Sequence, residues 1–253
     1  MEKGTISAPN FFSSALGPRS LALDFYFDFY SPYGYLASLR IDEIAARHGR
    51  EVIWRPFLLG PAFAATGHRP LLDTPLMGDY AARDFARSAR LQGASFRLPD
   101  EFPKAALAPS RAYYWLFEQD PDKARQLAKA IYRATFELGM DGTQPELVAA
   151  LAADLGIDKE ELLVAITTPE VKERLKRESA AALARGVLGS PFIFIGDEPF
   201  WGNDRLDQVE RIEHLVLKFC GRTFDLHSAM VGKGWNFCKW PLGVWHSSSM
   251  IMA

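Results

Sequence analysis

The ten residues Phe-Tyr-Phe-Asp-Phe-Tyr-Ser-Pro-Tyr-Gly at positions 25–34 constrain the fold more than any other part of the chain. From Leu21 to Phe27 the residues are almost wholly apolar and aromatic, which reads as a buried strand. At Ser31-Pro32 the pattern changes. Serine is a favoured helix N-cap, and proline at the first helical position gives up an N–H that the helix does not use. Over residues 33–48 Leu36, Ala37, Ile41, Ile44 and Ala45 recur at helical spacing, and His48-Gly49 closes the segment. A strand thus runs directly into one helix. The Ser31 hydroxyl stands where unpaired N–H groups and the helix dipole favour an anion, whether phosphate, carboxylate or thiolate.

The rest of the chain extends this unit. Residues 51–57 read as a second strand, so strand, helix and strand form a right-handed parallel βαβ unit, with Pro56 near a sheet edge or end. Residues 58–98 begin as a loop punctuated by Gly60-Pro61, Gly67, Pro70 and Pro75, then turn helical over 79–92. Helices follow over 104–118, 121–138, 145–155, 159–166 and 169–185, and Asp120-Pro121 and Thr168-Pro169 are ready-made starts. Gly189-Ser190-Pro191 leads into the apolar run 192–195, a hairpin turn at Gly196-Asp197 and a second arm at Phe200-Trp201. Gly202-Asn203-Asp204 opens a last amphipathic helix that ends at Cys220-Gly221. The expected architecture is α/β: a thioredoxin-like fold built from residues 21–79 and 187–221, with a large all-helical insertion over 80–186. Residues 1–20 read as an N-terminal arm. Residues 222–253 are an extension rich in aromatics, glycine and lysine whose role the pattern does not decide.

Composition removes several function classes. A net charge of −2 gives no bulk attraction to nucleic acid or acidic lipid. No apolar run reaches the roughly 20 residues that span a bilayer. The first twenty residues are broken by Pro9, Ser13-Ser14 and Gly17-Pro18 and lack a continuous apolar segment, so a cytoplasmic protein without a signal peptide is expected. Cys220 and Cys238 form no CxxC pair, and the histidines at 48, 214, 227 and 246 show no ligand spacing, so no metal site is expected. A cytosolic setting argues against a disulfide between the two cysteines, although their spacing permits one.

Three stretches together resemble the 2-hydroxychromene-2-carboxylate isomerases and kappa-class glutathione transferases of the DsbA-like thioredoxin superfamily. They are residues 25–36 around Ser31-Pro32, Arg55-Pro-Phe-Leu-Leu-Gly60, and Gly186 through Leu206 with Ser190-Pro191 and Trp201-Gly-Asn-Asp. The match runs over about residues 21–221. It implies a glutathione-dependent isomerase acting by reversible thiolate addition on a small, unsaturated, aromatic-derived carboxylate, as a homodimer. The alternatives are a transferase that conjugates electrophiles, or a non-catalytic binding module of the same fold. Thiol oxidoreductases of this fold carry CxxC at the strand-to-helix junction. With Ser31-Pro-Tyr-Gly34 there, no disulfide can cycle at that site.

The resemblance assigns roles residue by residue. Ser31 donates a hydrogen bond to the sulfur of bound glutathione, although capping the helix would alone account for a serine there. An unperturbed thiol is only a few per cent ionised at pH 7, and about two units of depression, each about 1.4 kcal/mol, make thiolate the major form. Ser190-Pro191 is expected to be cis, with the Ser190 backbone pairing with the cysteinyl main chain of glutathione like an added strand. Asn203 and Asp204 are expected to hold the γ-glutamyl end, and either is also an ordinary N-cap. Arg205 reads as structural, and Trp201 as pocket or core. Two positions depart from the kappa-class pattern. His68 stands where those relatives have an asparagine, and Met77, in Pro75-Leu-Met-Gly78, stands where they have a lysine. His68 can still hydrogen-bond to glutathione, whereas Met77 supplies no cation.

Overall fold

The aromatic run becomes strand β1 (Leu23–Phe27), one of the two inner strands of a four-stranded sheet. A computed structural model describes residues 22–100, 102 and 104–220, with side chains as far as Glu213. The expectations for residues 1–20, 222–253, the Gly221 cap and Cys238 lie outside the described residues. Strand β2 (Val52–Pro56) pairs parallel to β1, with Leu23 opposite Val52. On the other side β3 (Phe192–Ile195) runs antiparallel, with Tyr26 opposite Phe192. It turns through Gly196-Asp197 into β4 (Glu198–Trp201), giving the order β2-β1-β3-β4.

Strand alternation splits the aromatics of β1 between the two faces. Phe25 and Phe27 meet Trp54 edge-on at centroid distances of 5.1 and 5.3 Å, and Phe27 also meets Tyr132 at 5.6 Å. Such aromatic pairs add about 0.5–1.5 kcal/mol each beyond the area they bury. The opposite face packs Tyr26, Phe57, Phe192 and Phe194 into a second, smaller core. Both faces are covered, which is why the run reads as continuous apolar sequence.

Helices α1 (Pro32–Ser38) and α2 (Ile41–Arg47) follow β1. Between β2 and β3 lie α3 (Leu59–Thr66), α4 (Met77–Leu91), α5 (Leu107–Phe117), α6 (Pro121–Phe136), α7 (Pro145–Ala153), α8 (Lys159–Ala165) and α9 (Pro169–Ala184). Helix α10 (Leu206–Cys220) follows β4. The fold is thioredoxin-like α/β with a helical insertion. Asp120 and Thr168 cap α6 and α9 through side-chain oxygens, as their sequence positions indicate, and Asp158 caps α8 in the same way. The insertion is tied to the sheet by Tyr113 and Tyr114 of α5, whose hydroxyls donate to the carbonyls of Trp54 and Pro56 at 2.8 and 2.6 Å. These tyrosines are core and do not form a substrate wall.

Two elements differ from the sequence reading. The single helix expected over 33–48 is two helices broken at Leu39-Arg40. Within its last turn the Ser38 hydroxyl donates back to the Tyr35 carbonyl at 2.6 Å, and Arg40 is drawn to Asp207 at 2.8 Å. The segment after β2, expected to begin as a loop, holds α3. Gly60 and Pro61 fall in its first turn, where a proline removes no intrahelical bond. The terminus is capped from a distance, because Asp28 Oδ2 accepts the Leu59 N–H at 2.9 Å.

Candidate active site

Four backbone turns meet around a cavity of about 750 Å³: the β1–α1 junction, the start of α3, the segment from Gly67 to Met77, and Leu188–Ser190 ahead of β3. The volume lies within the roughly 300–1,000 Å³ usual for small-molecule sites. Its walls are mostly apolar and aromatic, with Tyr30 and Phe102 stacked 5.4 Å apart at an interplanar angle of 12°.

Ser31 caps α1 as its sequence position requires, accepting the Gly34 N–H at 3.0 Å. The same hydroxyl donates to the Ser190 carbonyl at 2.9 Å, so two loops 159 residues apart join at one oxygen. The Ser190-Pro191 peptide is cis. Ser190 Oγ in turn accepts the Asp28 N–H at 3.0 Å. Because α1 has only seven residues, the dipole expected of a longer helix shrinks. The hydroxyl becomes the principal donor at this point.

His68 also lines the cavity and lies nearly parallel to Trp201, with centroids 6.4 Å apart. Asn203 and Asp204 are not among its lining residues. A 3-10 turn spans Asn203–Arg205, where Asn203 Oδ1 accepts from Gln92 Nε2 at 3.3 Å and Asp204 pairs with Arg205 at 3.3 Å. Asp204 is still near enough to help raise the Tyr33 phenol.

Sequence reasoning missed three charged residues of the cavity: Asp28, Arg69 and Lys104. Asp28 did carry a signal, as the one acid inside the aromatic run 25–30. It is 4% exposed and is the one carboxylic acid among the described lining residues. Burial pushes its pKa up to about 6, against the N–H groups of Tyr30 and Leu59, which stabilise the charged form. Lys104 Nζ pairs with Asp141 at 2.7 Å, and the Tyr30 hydroxyl donates to the same carboxylate at 2.6 Å. Burial raises the Asp141 carboxyl, but Lys104, Thr143, Tyr30 and Gln144 outweigh it and hold the group well below the ordinary range. The Tyr33 hydroxyl is committed to Asp84 at 2.6 Å, and burial with that partner lifts its phenol far above the usual value.

Asp28 leaves a mark on stability. Its folded pKa exceeds the unfolded value near 3.9, so the folded state is penalised once the unfolded chain ionises. The contribution is most favourable below about pH 4, is lost as the pH rises to about 6, and is flat above that. The loss amounts to about 3 kcal/mol. In urea unfolding, the stability difference between the wild type and Asp28→Asn is expected to change by that order between pH 4 and pH 7. A pH-independent difference would show that Asp28 does not titrate as described.

Among the described residues no group of histidine, cysteine or acidic side chains could hold a metal ion, and no helix is long and apolar enough to cross a membrane. Residues 22–212 match the DSBA-like thioredoxin domain family. The 2-hydroxychromene-2-carboxylate isomerase of Sphingobium xenophagum is 30% identical over 190 residues, covering 74% of this chain and 95% of that protein. Glutathione s-transferase kappa 2 of Caenorhabditis elegans is 25% identical over 205 residues, covering 76% and 91% respectively. A solved selenomethionine form of 2-hydroxychromene-2-carboxylate isomerase superposes with a TM-score of 0.73 at 26% identity, covering 81% of this chain and 100% of that one.

Proposed function

This chain belongs to the DsbA-like thioredoxin family, among the relatives of 2-hydroxychromene-2-carboxylate isomerases and kappa-class glutathione transferases, and from that premise we propose that it is a glutathione-dependent isomerase of an unsaturated, aromatic-derived carboxylate. The observation that carries this reading is the meeting of the Ser31 hydroxyl and the Ser190 backbone at an apolar cavity, with no sulfur at the strand-to-helix junction.

The residues present fit a thiol tripeptide. The junction offers a hydroxyl donor for sulfur, and the cis Ser190-Pro191 turn presents a strand-like backbone beside it. Arg69 lines the cavity and makes no side-chain hydrogen bond or ion pair among the described residues, which leaves it available to a carboxylate. Glutathione held there would supply a thiolate for reversible addition to the unsaturated substrate, the chemistry that permits ring opening and bond rotation. The chain's part is to hold that charge and exclude water. Ser31 has a single hydroxyl proton, which the Ser190 carbonyl takes in this structure. Turning it toward sulfur frees that carbonyl for a ligand main-chain N–H, so one rotation prepares both contacts. The aromatic walls, Tyr30 with Phe102 and Tyr33 with Phe85, suit a flat aromatic substrate.

The test is incubation with glutathione and 2-hydroxychromene-2-carboxylate, followed by absorbance and mass spectrometry. A product of unchanged mass supports the isomerase. A product heavier by glutathione favours the transferase reading, which the kappa-class relative motivates. No conversion, together with no calorimetric heat on adding glutathione, removes both.

Met77 supports one further prediction. It is the first residue of α4 and lines the cavity where kappa-class relatives carry a lysine. Met77→Lys is expected to tighten glutathione binding by about 1–3 kcal/mol, roughly 5- to 150-fold, less about 0.5 kcal/mol for a cation at a helix N-terminus. Unchanged affinity in a calorimetric titration would remove this position from the binding site.

A further inference from the structure

Asp28 is a buried acid that the proposed chemistry leaves without a task, although it sits at the centre of the site. Its main-chain N–H donates to Ser190 Oγ at 3.0 Å, and its carbonyl accepts the Ser31 N–H at 3.0 Å and the Tyr132 hydroxyl at 2.9 Å. Its carboxylate takes the Tyr30 N–H at 2.8 Å on one oxygen and the Leu59 N–H at 2.9 Å on the other. Each oxygen therefore keeps a lone pair. Asp28 lines the same cavity as Ser31, three residues away on one turn.

We infer that Asp28 is the proton-holding group of this cavity, taking the proton that a bound thiol gives up beside Ser31. The inference rests on the reading that a thiol is bound there. The sulfur–hydrogen bond breaks with its electron pair left on sulfur, and an oxygen–hydrogen bond forms at an Asp28 carboxylate oxygen. The step reverses when the thiol leaves, so nothing is consumed. A water within the cavity can carry the proton across any gap.

Other candidates in the cavity are poorer acceptors. The Tyr30 and Tyr33 hydroxyls are already donated to Asp141 and Asp84. Arg69 offers only N–H donors, and Lys104 is held by Asp141 at 2.7 Å, so neither offers a lone pair. His68 is exposed and stacks against Trp201, with ring centroids 6.4 Å apart. The titratable group that faces Asp28 from α6 is Tyr132, whose phenol burial holds well above its usual value, so it stays neutral and competes for no proton. Burial places the Asp28 pKa at about 6, which makes it mostly ionised, and able to accept, at neutral pH.

Proton counting tests this without reference to turnover. Glutathione is titrated calorimetrically into the wild-type chain near neutral pH, in buffers of different ionisation heat, while ultraviolet absorbance reports the thiolate formed. The inference expects thiolate with little proton release in the wild type, against about one proton released per thiolate in Asp28→Asn. In His68→Asn the number of protons released per thiolate is expected to match the wild type, whatever the variant does to affinity. If Asp28→Asn does not fold, the wild type suffices: below about pH 6 the acceptor is already filled, so the protons released per thiolate must rise toward one. Release of a full proton per thiolate by the wild type near neutral pH, or loss of the effect in His68→Asn instead, overturns the inference while leaving glutathione binding intact. Absence of any binding heat overturns the functional reading with it.

Discussion

Ser31→Ala is expected to lower turnover by roughly 100-fold while leaving the chain folded. Two effects must be separated. The hydroxyl caps α1 through the Gly34 N–H and bridges to the Ser190 carbonyl, so its removal costs about 1 kcal/mol of stability as a lost N-cap. A domain of ordinary stability, about 5–15 kcal/mol, tolerates that loss. The catalytic loss should be larger, because a hydrogen bond to an ionised sulfur contributes about 1.5–3 kcal/mol and, among the described residues, no other side-chain hydroxyl is joined to the Ser190 backbone. The measurement pairs steady-state kinetics with the pH dependence of thiolate absorbance in the glutathione complex. The variant's bound thiol should ionise at a higher pH than the wild type's, by one unit or more. Equal rates and equal thiol titration in the two proteins would reduce Ser31 to a cap and end the proposal.

What the sequence revealed of this fold was mostly local. The strand-to-helix switch at Ser31-Pro32, the capped starts at Asp120 and Thr168, and the hairpin at Gly196-Asp197 each depend on residues within a few positions of one another. Helix α3 was missed because its cap comes from Asp28, 31 residues earlier, and no local pattern records a capping group supplied by a distant turn. The break between α1 and α2 was missed because Ser38 fits the helical spacing and interrupts it only through its back-bond to Tyr35. The site was partly legible for the same reason. Ser31 and Ser190 announce themselves by the prolines that follow them. Arg69 and Lys104 reach the cavity only because α3 and the segment before α5 converge on it. Asn203 fits the pattern of a helix start, yet the turn that begins at Gly202, with φ at 115°, carries it toward Gln92.

Gly34→Ala is expected to be the most disruptive small substitution at the site, and the reason is steric. A Cβ at Gly34 would lie 2.6 Å from the Tyr132 hydroxyl and 2.9 Å from Ser190 Oγ. Those two oxygens hold the main chain of Asp28, one at its carbonyl and the other at its N–H. Neither can move away without leaving a buried polar group unpaired, at about 1–3 kcal/mol each. Overpacking adds about 1–3 kcal/mol, and the better helix propensity of alanine returns only about 1 kcal/mol. The net loss is about 3 kcal/mol, or a fall of roughly 6–12 °C in melting temperature for a domain of this size. Glutathione affinity should fall as well, because Ser190 and Asp28 shift together. A variant that melts with the wild type would mean that the neighbours yield freely and that this network is slack. The same crowding bears on chemistry. A cysteine at this position would start from the same misplaced Cβ, so Ser31→Cys combined with Gly34→Cys should destabilise the chain and should not create a working dithiol. In insulin reduction the double variant is expected to stay at background, and turnover there would show that the wall around Gly34 is softer than its hydrogen bonds imply.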